Sequence, residues 1–333
     1  MIGAVVALIG SFAVAAMLSP LVKKVAHRLK AGQPILHYVV EHAGKQGTPT
    51  AGGWIFILPA VVVPSIVVGE WGAAGVASAC MLAYAVLGFL DDYLKIRRAD
   101  NGGLRPYQKI LGQLGIALVL GFYVWQEGSI GEVILLPFTH RAVSLGWGII
   151  PFVALVFIAG TNAVNLTDGL DGLAGATSLV YMGGFVAMAA VGLGYGLQQE
   201  TLYPMTVFAL CVAGGLLAYL ISNVSKAQIF MGDTGSMALG GAVCATCVFS
   251  RFTLYLPLMG IMFAVSCISV IMQVGYFRLS KGKRLLLMAP LHHHLQRKGW
   301  SESRVCMLYV ALTCIAAALA VLGVYVGCYG VEG

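Results

Sequence analysis

Five aspartates stand at the borders of long apolar runs, and their placement is the first chemical signal in this chain. Asp91 and Asp92 end one such run. Asp168 and Asp171 lie in Asn165-Leu166-Thr167-Asp168-Gly169-Leu170-Asp171-Gly172, and Asp233 lies in Phe230-Met231-Gly232-Asp233-Thr234-Gly235-Ser236. Ionisable groups within or beside a bilayer are costly and usually functional. Asp91 and Lys95 are four apart and share a face of any helical continuation, which reads as a salt-bridged helix end. Adjacent carboxylates at an apolar helix end also repel and call for a cation. A hard divalent ion such as Mg²⁺ takes oxygen ligands and leaves places free for phosphates.

The 165–172 run separates two apolar stretches with almost no loop. Its glycines allow a tight turn, and one of its acids is expected to cap the following helix. Capping does not need two acids, an Asn and a Thr, so this polar density also reads as the lining of a cavity. Asp233 and Ser236 resemble a helix N-terminal cap whose free N–H groups suit an anion. His292, His293 and His294 follow Ala289-Pro290-Leu291 in the most basic loop. Three consecutive side chains do not easily converge on one tetrahedral metal, so beside Lys281, Lys283, Arg284, Arg297 and Lys298 they read as phosphate donors or proton shuttles.

The elements that must position these groups are membrane spans. The chain is 59% hydrophobic and only 10% charged, with a mean hydropathy of +0.89, whereas a soluble domain carries about a quarter charged residues. A spanning helix needs roughly 20 apolar residues. Ten such stretches are read, near 1–22, 51–69, 72–90, 108–126, 146–164, 172–192, 203–222, 235–250, 254–277 and 305–327. The expected fold is therefore an all-α polytopic membrane protein, one domain over 1–333, rich in the glycines (43) that let spans pack closely.

Lys23, Lys24, Arg28 and Lys30 follow the first stretch, which lacks a positive leader region, so it reads as an uncleaved span with its N-terminus outside. Alternating ten spans puts the C-terminus outside as well. It also places every Lys and Arg except Arg141 and Arg251 inside, together with all five aspartates. The net charge of +7 is thus an orientation signal with attraction to anionic membrane lipids. No nucleic-acid partner is expected, because the bases are spread over loops without a binding module. None of the five acids lies mid-span and no two related halves are visible, which argues against a transporter. The eight cysteines lie mostly within apolar runs and read as small hydrophobes, Cys244 and Cys247 included. The outside segment 128–145 is expected to form a short hairpin.

Gly47-Thr48-Pro49-Thr50, Asp91-Asp92-Tyr93-Leu94-Lys95, the 165–172 and 230–236 runs, Ala289-Pro290-Leu291-His292-His293-His294 and Lys298-Gly299-Trp300 occur in this order over nearly the whole chain. This combination resembles the phospho-N-acetylmuramoyl-pentapeptide transferases, within the polyprenyl-phosphate N-acetylhexosamine-1-phosphate transferase superfamily. Relatives using UDP-N-acetylglucosamine would share the aspartates but carry a different histidine motif. Two positions depart from the pattern: Ala51 stands where Met is usual, and Ser266 where an intramembrane Glu is expected.

The resemblance implies transfer of phospho-N-acetylmuramoyl-pentapeptide from UDP-N-acetylmuramoyl-pentapeptide to undecaprenyl phosphate, giving lipid I and UMP. It further implies Mg²⁺ as cofactor, the bacterial cytoplasmic membrane as location with the site on the cytoplasmic face, and a homodimer. By the same resemblance Asp233 is the metal ligand, Asp91 and Asp92 are the base or acceptor-positioning pair, and His292 joins these three as catalytic. Asp168, Gly169, Leu170, Asp171 and Phe230 would hold the uridine. Lys45, Lys95, Lys109, Asn223, His293 and His294 would lie near phosphates or sugar, and Thr48, Asn165 and Gly232 complete the implied substrate contacts.

Overall fold

The computed structural model describes residues 2–28, 47–69, 71–98, 102–139, 141–224 and 226–329. The chain is an all-α polytopic membrane protein. Each of the ten expected stretches contains helix: α1 (Ile2–Arg28), α2 (Trp54–Val68), α3 (Gly72–Arg98), α4 (Pro106–Gln126), α5 (Ile149–Thr167), α6 (Leu173–Gly194), α7 (Gln199–Asn223), α8 (Gly232–Phe249), the pair α9 (Leu256–Met259) and α10 (Ile261–Leu279), and α12 (Glu302–Tyr329). Among the described residues, eight helices are long and apolar enough to cross a membrane. Of the ten stretches, α2 is short, at 15 residues with two internal prolines. α8 has 18 residues and opens on a polar turn that serves the site. The ninth stretch is interrupted at Gly260, between α9 and α10.

α8 is the centre of the bundle, and every one of its residues except Asp233 is buried. Small residues make this possible. A Cβ on Gly88 of α3 would run into the Asp233 carbonyl, one on Gly240 into Thr161 of α5, and one on Gly53 into Gly235. Backbones can therefore approach where lipid offers no hydrophobic drive and packing must hold the helices together. Tyr84 of α3 stacks on Phe157 of α5 at 6.0 Å between ring centres, which closes the layer around α8. The peripheral helices α1, α10 and α12 keep apolar side chains such as Met17, Ile271 and Met307 outward, as a lipid-facing surface requires.

The ends of α3, α5 and α7 meet the starts of α4, α6 and α8, so the polar turns gather at one end. At the other end β1 (Val133–Leu135) pairs antiparallel with β2 (Ala142–Ser144), Val133 opposite Ser144, which is the expected hairpin. It is tied to the α8–α9 connection through Leu135 N–H to Arg251 O at 3.1 Å.

Candidate active site

The site is built where α3 ends and α8 begins. Gly88 lets the two backbones touch one turn before Asp91 and Asp92. The buried Asp92 carboxylate then accepts the Asp233 N–H at 3.1 Å, the Thr234 N–H at 2.9 Å and the Thr234 hydroxyl at 2.7 Å. These N–H groups belong to the unsatisfied first turn of α8. The anion site expected at this helix start is thus filled from within, by Asp92. Asp233 and Ser236 do not cap it: the Ser236 hydroxyl donates back to Gly232 O at 3.0 Å.

This grip places Asp233 beside Asp91, and their carboxyls meet directly. The Lys95 ammonium lies 2.6 Å from Asp91 and 2.7 Å from Asp233, so the expected i,i+4 salt bridge forms and reaches further. Lys109, from the first turn of α4, approaches Asp233 at 3.1 Å and Asn165 at 3.4 Å. Asn165 donates to Asp233 and to Ser236, both at 2.7 Å. Asp91 also accepts the Leu104 N–H at 2.8 Å, which draws the 102–105 segment over the cluster. A cavity of about 300 Å³ opens here, lined among others by Asp91, Lys95, Lys109, Asn162 and Asp233. Asn162 was not expected from sequence; only its position one helical turn before Asn165 could have signalled it.

Ligand oxygens of Asp91, Asp92 and Asp233 lie within 4.8 Å of one another, and among the described residues this is the group that could hold a metal ion. Three hard carboxylates suit a hard divalent cation. With all three acids ionised, the two ammonium groups of Lys95 and Lys109 leave one negative charge on the cluster, which suits it to take up further positive charge.

The 165–172 turn differs from expectation in one respect. Neither Asp168 nor Asp171 caps α6; the N-cap is Gly172 at φ +76°, without a side-chain cap. Asn223 instead accepts the Gly172 N–H at 2.9 Å and donates to Ile229 O at 2.9 Å, so its buried amide braces two loops. Asp171 accepts the Ala227 N–H at 3.0 Å, while its own N–H reaches Glu302 at 3.4 Å. Glu302 is a further residue missed in the sequence, though an acid in the first turn of α12 is a recognisable signal. Asp168 is partly buried and its pKa is raised to about 8, by desolvation first and then by the negative Asp233, Asp92 and Asp171. Leu170 is buried against Leu173, Val305 and Tyr309, as a support of the turn.

The 47–53 segment runs beside the same cluster. Phe230 pairs through its main chain with Pro49 O and Gly52 N, both at 2.8 Å. Gly232 has φ +70°, and a side chain there would strike Thr50 and Asp92. Thr48 is half-buried on this strand-like stretch. Lys45 lies outside the described residues. Ala51, the departure from the usual pattern, has φ +72°, in the left-handed region.

On α11 (Leu291–Arg297) the His292 and His293 rings meet edge-on at 4.4 Å between centres, while His294 turns to the Leu287 main chain. His292 is buried, and a side chain at Gly169 would collide with its Nε2, so α11 abuts the 165–172 turn. His293 Nδ1 pairs with Gln296 at 2.9 Å. His294 Nδ1 accepts the Leu287 N–H at 3.0 Å; partial burial and Lys298 lower its pKa. Ser266, where Glu was expected, keeps a polar contact through Tyr309 at 3.2 Å.

Residues 74–251 match the family described as glycosyl transferase family 4. Among curated relatives, the phospho-N-acetylmuramoyl-pentapeptide-transferase of Clostridium novyi (strain NT) is 38% identical over 314 residues, 94% of each chain. That of Geobacillus sp. (strain WCH70) is 36% identical over 97% of each chain. That of Clostridium perfringens (strain 13 / Type A) is 40% identical over 95% of this chain and 97% of the relative. The matched family segment contains Asp91, Asp92, Asp168 and Asp233, and the relatives' alignments extend over nearly the full length. The chain therefore belongs to glycosyl transferase family 4, alongside the phospho-N-acetylmuramoyl-pentapeptide-transferases.

Proposed function

We propose that this protein transfers phospho-N-acetylmuramoyl-pentapeptide from its UDP carrier to undecaprenyl phosphate, yielding lipid I and UMP. The observation that carries this reading is the meeting of Asp91, Asp233, Lys95 and Lys109 in one cavity at the ends of apolar helices. An acceptor phosphate anchored by a long lipid sits at that depth, and a nucleotide donor reaches it from water. The site is assigned to the cytoplasmic face because nearly all lysines and arginines fall on its side when the spans alternate.

In the reaction an oxygen of the acceptor phosphate bonds to the sugar-bearing phosphorus of the donor. The bond from that phosphorus to the bridging oxygen breaks, and UMP departs with the electron pair. Asp91 takes any proton still held by the acceptor phosphate. Asp91 lines the cavity, whereas the oxygens of Asp92 are engaged by α8; Asp92 therefore acts by holding Asp233 in place. Lys95 and Lys109 exchange their carboxylate contacts for phosphate oxygens as substrate enters. Asp233, with Asp91 beside it, would hold Mg²⁺, which when bound neutralises the diphosphate and the charge gathering on the departing UMP. Asp168 and the turn around it are assigned to the uridine, and His292 to the phosphosugar side.

The test is transfer of labelled donor onto undecaprenyl phosphate by purified protein in detergent, with and without Mg²⁺. Metal-dependent formation of a lipid-soluble product with UMP release is the expected result. Transfer only from UDP-N-acetylglucosamine would overturn the substrate, and inactivity of folded protein with both donors would overturn the reaction.

A further inference from the structure

α11 has seven residues, too few to be stable by itself. Its N-cap is Pro290, which offers no side-chain oxygen, so the first N–H groups need partners from elsewhere. They find them on two other helices. Ser269 of α10 accepts the Leu291 N–H at 3.0 Å while donating to Ser266 O at 2.7 Å. The Tyr309 hydroxyl of α12 lies on the side of the His292 N–H and meets Ser266 Oγ at 3.2 Å. Ser266, Ser269, Tyr309 and His292 are all buried. The Tyr309 ring packs edge-on against the His292 imidazole at 6.3 Å between centres. It also packs in one cluster with Leu170 and Leu173, at the far end of the turn that Gly169 presents to His292.

We infer that Ser269 and Tyr309 are positioning residues of the transfer reaction, holding the first two N–H groups of α11 and so setting where His292 meets the Asp168–Gly172 turn. This rests on the proposal that His292 serves the phosphosugar. The role belongs to the hydroxyls. A phenylalanine at 309 fills the same volume but releases a buried N–H, and α11 then turns or withdraws to satisfy it. Ser266 acts in the same ladder by orienting the Tyr309 hydroxyl, which explains how a serine serves at a position where a longer acid was expected.

The test compares Tyr309→Phe, Ser269→Ala and Ser269→Thr with the wild type, and places Tyr309→Phe also in a His292→Ala background. With the loss of one buried hydrogen bond near the reacting groups, kcat falls about tenfold in Tyr309→Phe. The donor KM stays within about twofold, because uniform binding is not what is lost. Ser269→Ala behaves likewise, and Ser269→Thr, which keeps the hydroxyl, retains wild-type turnover. In the His292→Ala background Tyr309→Phe causes no further loss, the non-additivity of two residues acting as one. Independently of turnover, the rate of carbethoxylation of His292 by diethyl pyrocarbonate, read by mass spectrometry on substrate-free protein in detergent, rises severalfold in Tyr309→Phe. Full multiplicativity of the two substitutions, or an unchanged labelling rate at His292, overturns the inference. Should His292→Ala leave no measurable turnover, the labelling rate alone decides. Absence of transfer in the wild type would instead overturn the proposed reaction, and the labelling comparison stays readable in that case.

Discussion

Asp92→Asn isolates the grip of α3 on α8, because it keeps the side chain's shape and removes one acceptor oxygen and the charge. In the wild type both oxygens are used, by the Asp233 N–H at one and by the Thr234 N–H and hydroxyl at the other. The amide can turn its oxygen to Thr234, but its NH₂ then faces the Asp233 N–H, donor against donor. One buried N–H left unmet costs about 1–3 kcal/mol, and removing a carboxylate from a helix N-terminus costs about 0.3–1 kcal/mol more. A loss of about 1.3–4 kcal/mol is expected, read as a lower melting temperature of the purified protein in detergent. Asp91→Asn is the control. One oxygen still accepts the Leu104 N–H, and Lys95 keeps Asp233, so stability stays within about 1 kcal/mol of the wild type. Both variants lose transfer activity, and only Asp92→Asn loses stability. Wild-type melting of Asp92→Asn, or equal losses in the two, would refute the division between an anchoring and a cavity-facing aspartate.

Asp233→Asn is expected to insert and fold but to be nearly inactive at any Mg²⁺ concentration, since a neutral amide is a poor ligand; normal turnover in a Mg²⁺ titration would remove Asp233 from the chemistry. Gly88→Ala places a methyl against the Asp233 carbonyl. Separating α3 from α8 costs about 1–3 kcal/mol and pulls Asp91 from Asp233, so melting temperature and transfer both fall; unchanged values would contradict the close approach. Asp168 holds its proton up to about pH 8 in the folded protein, against an ordinary value of 3.8. Across that interval the folded state binds the proton and the unfolded state does not. Substrate-free stability therefore declines as pH rises, by up to about 1.4 kcal/mol per pH unit, and the decline ends above the folded pKa. Asp168→Asn stays neutral, so it melts above the wild type at pH 8 and the two converge toward the acid end; parallel melting curves over the whole range would refute the shift.

Several features were legible in the sequence because they are local quantities set by the solvent. Lipid demands long apolar runs, so the ten helical stretches could be read from hydropathy, and the acids stood out at their ends because charge is excluded from the runs themselves. The Asp91–Lys95 bridge follows from helical spacing alone. The turning of His294 away from the His292–His293 ring pair was not legible in the same way. The ordered motifs were enough to indicate the family.

What the sequence could not convey is which polar group satisfies which. A capping acid was expected in the 165–172 turn, but α6 has no side-chain cap, and the turn is braced instead by Asn223, 51 residues away along the chain from Gly172. The N–H groups of α8 looked open to a substrate anion and are taken by Asp92, 141 residues from Asp233. Lys95 and Lys109 converge on Asp233 from 138 and 124 residues away. Nor did any local pattern point to Ser269 and Tyr309 as the partners of α11. Hydropathy determines that a segment lies in the membrane and where its polar ends must be; it is indifferent to which helices are neighbours. Neighbours are decided by where backbones can close, at Gly88, Gly53, Gly235 and Gly240. Once they close, buried donors and acceptors must pair with whatever the packing brings within reach.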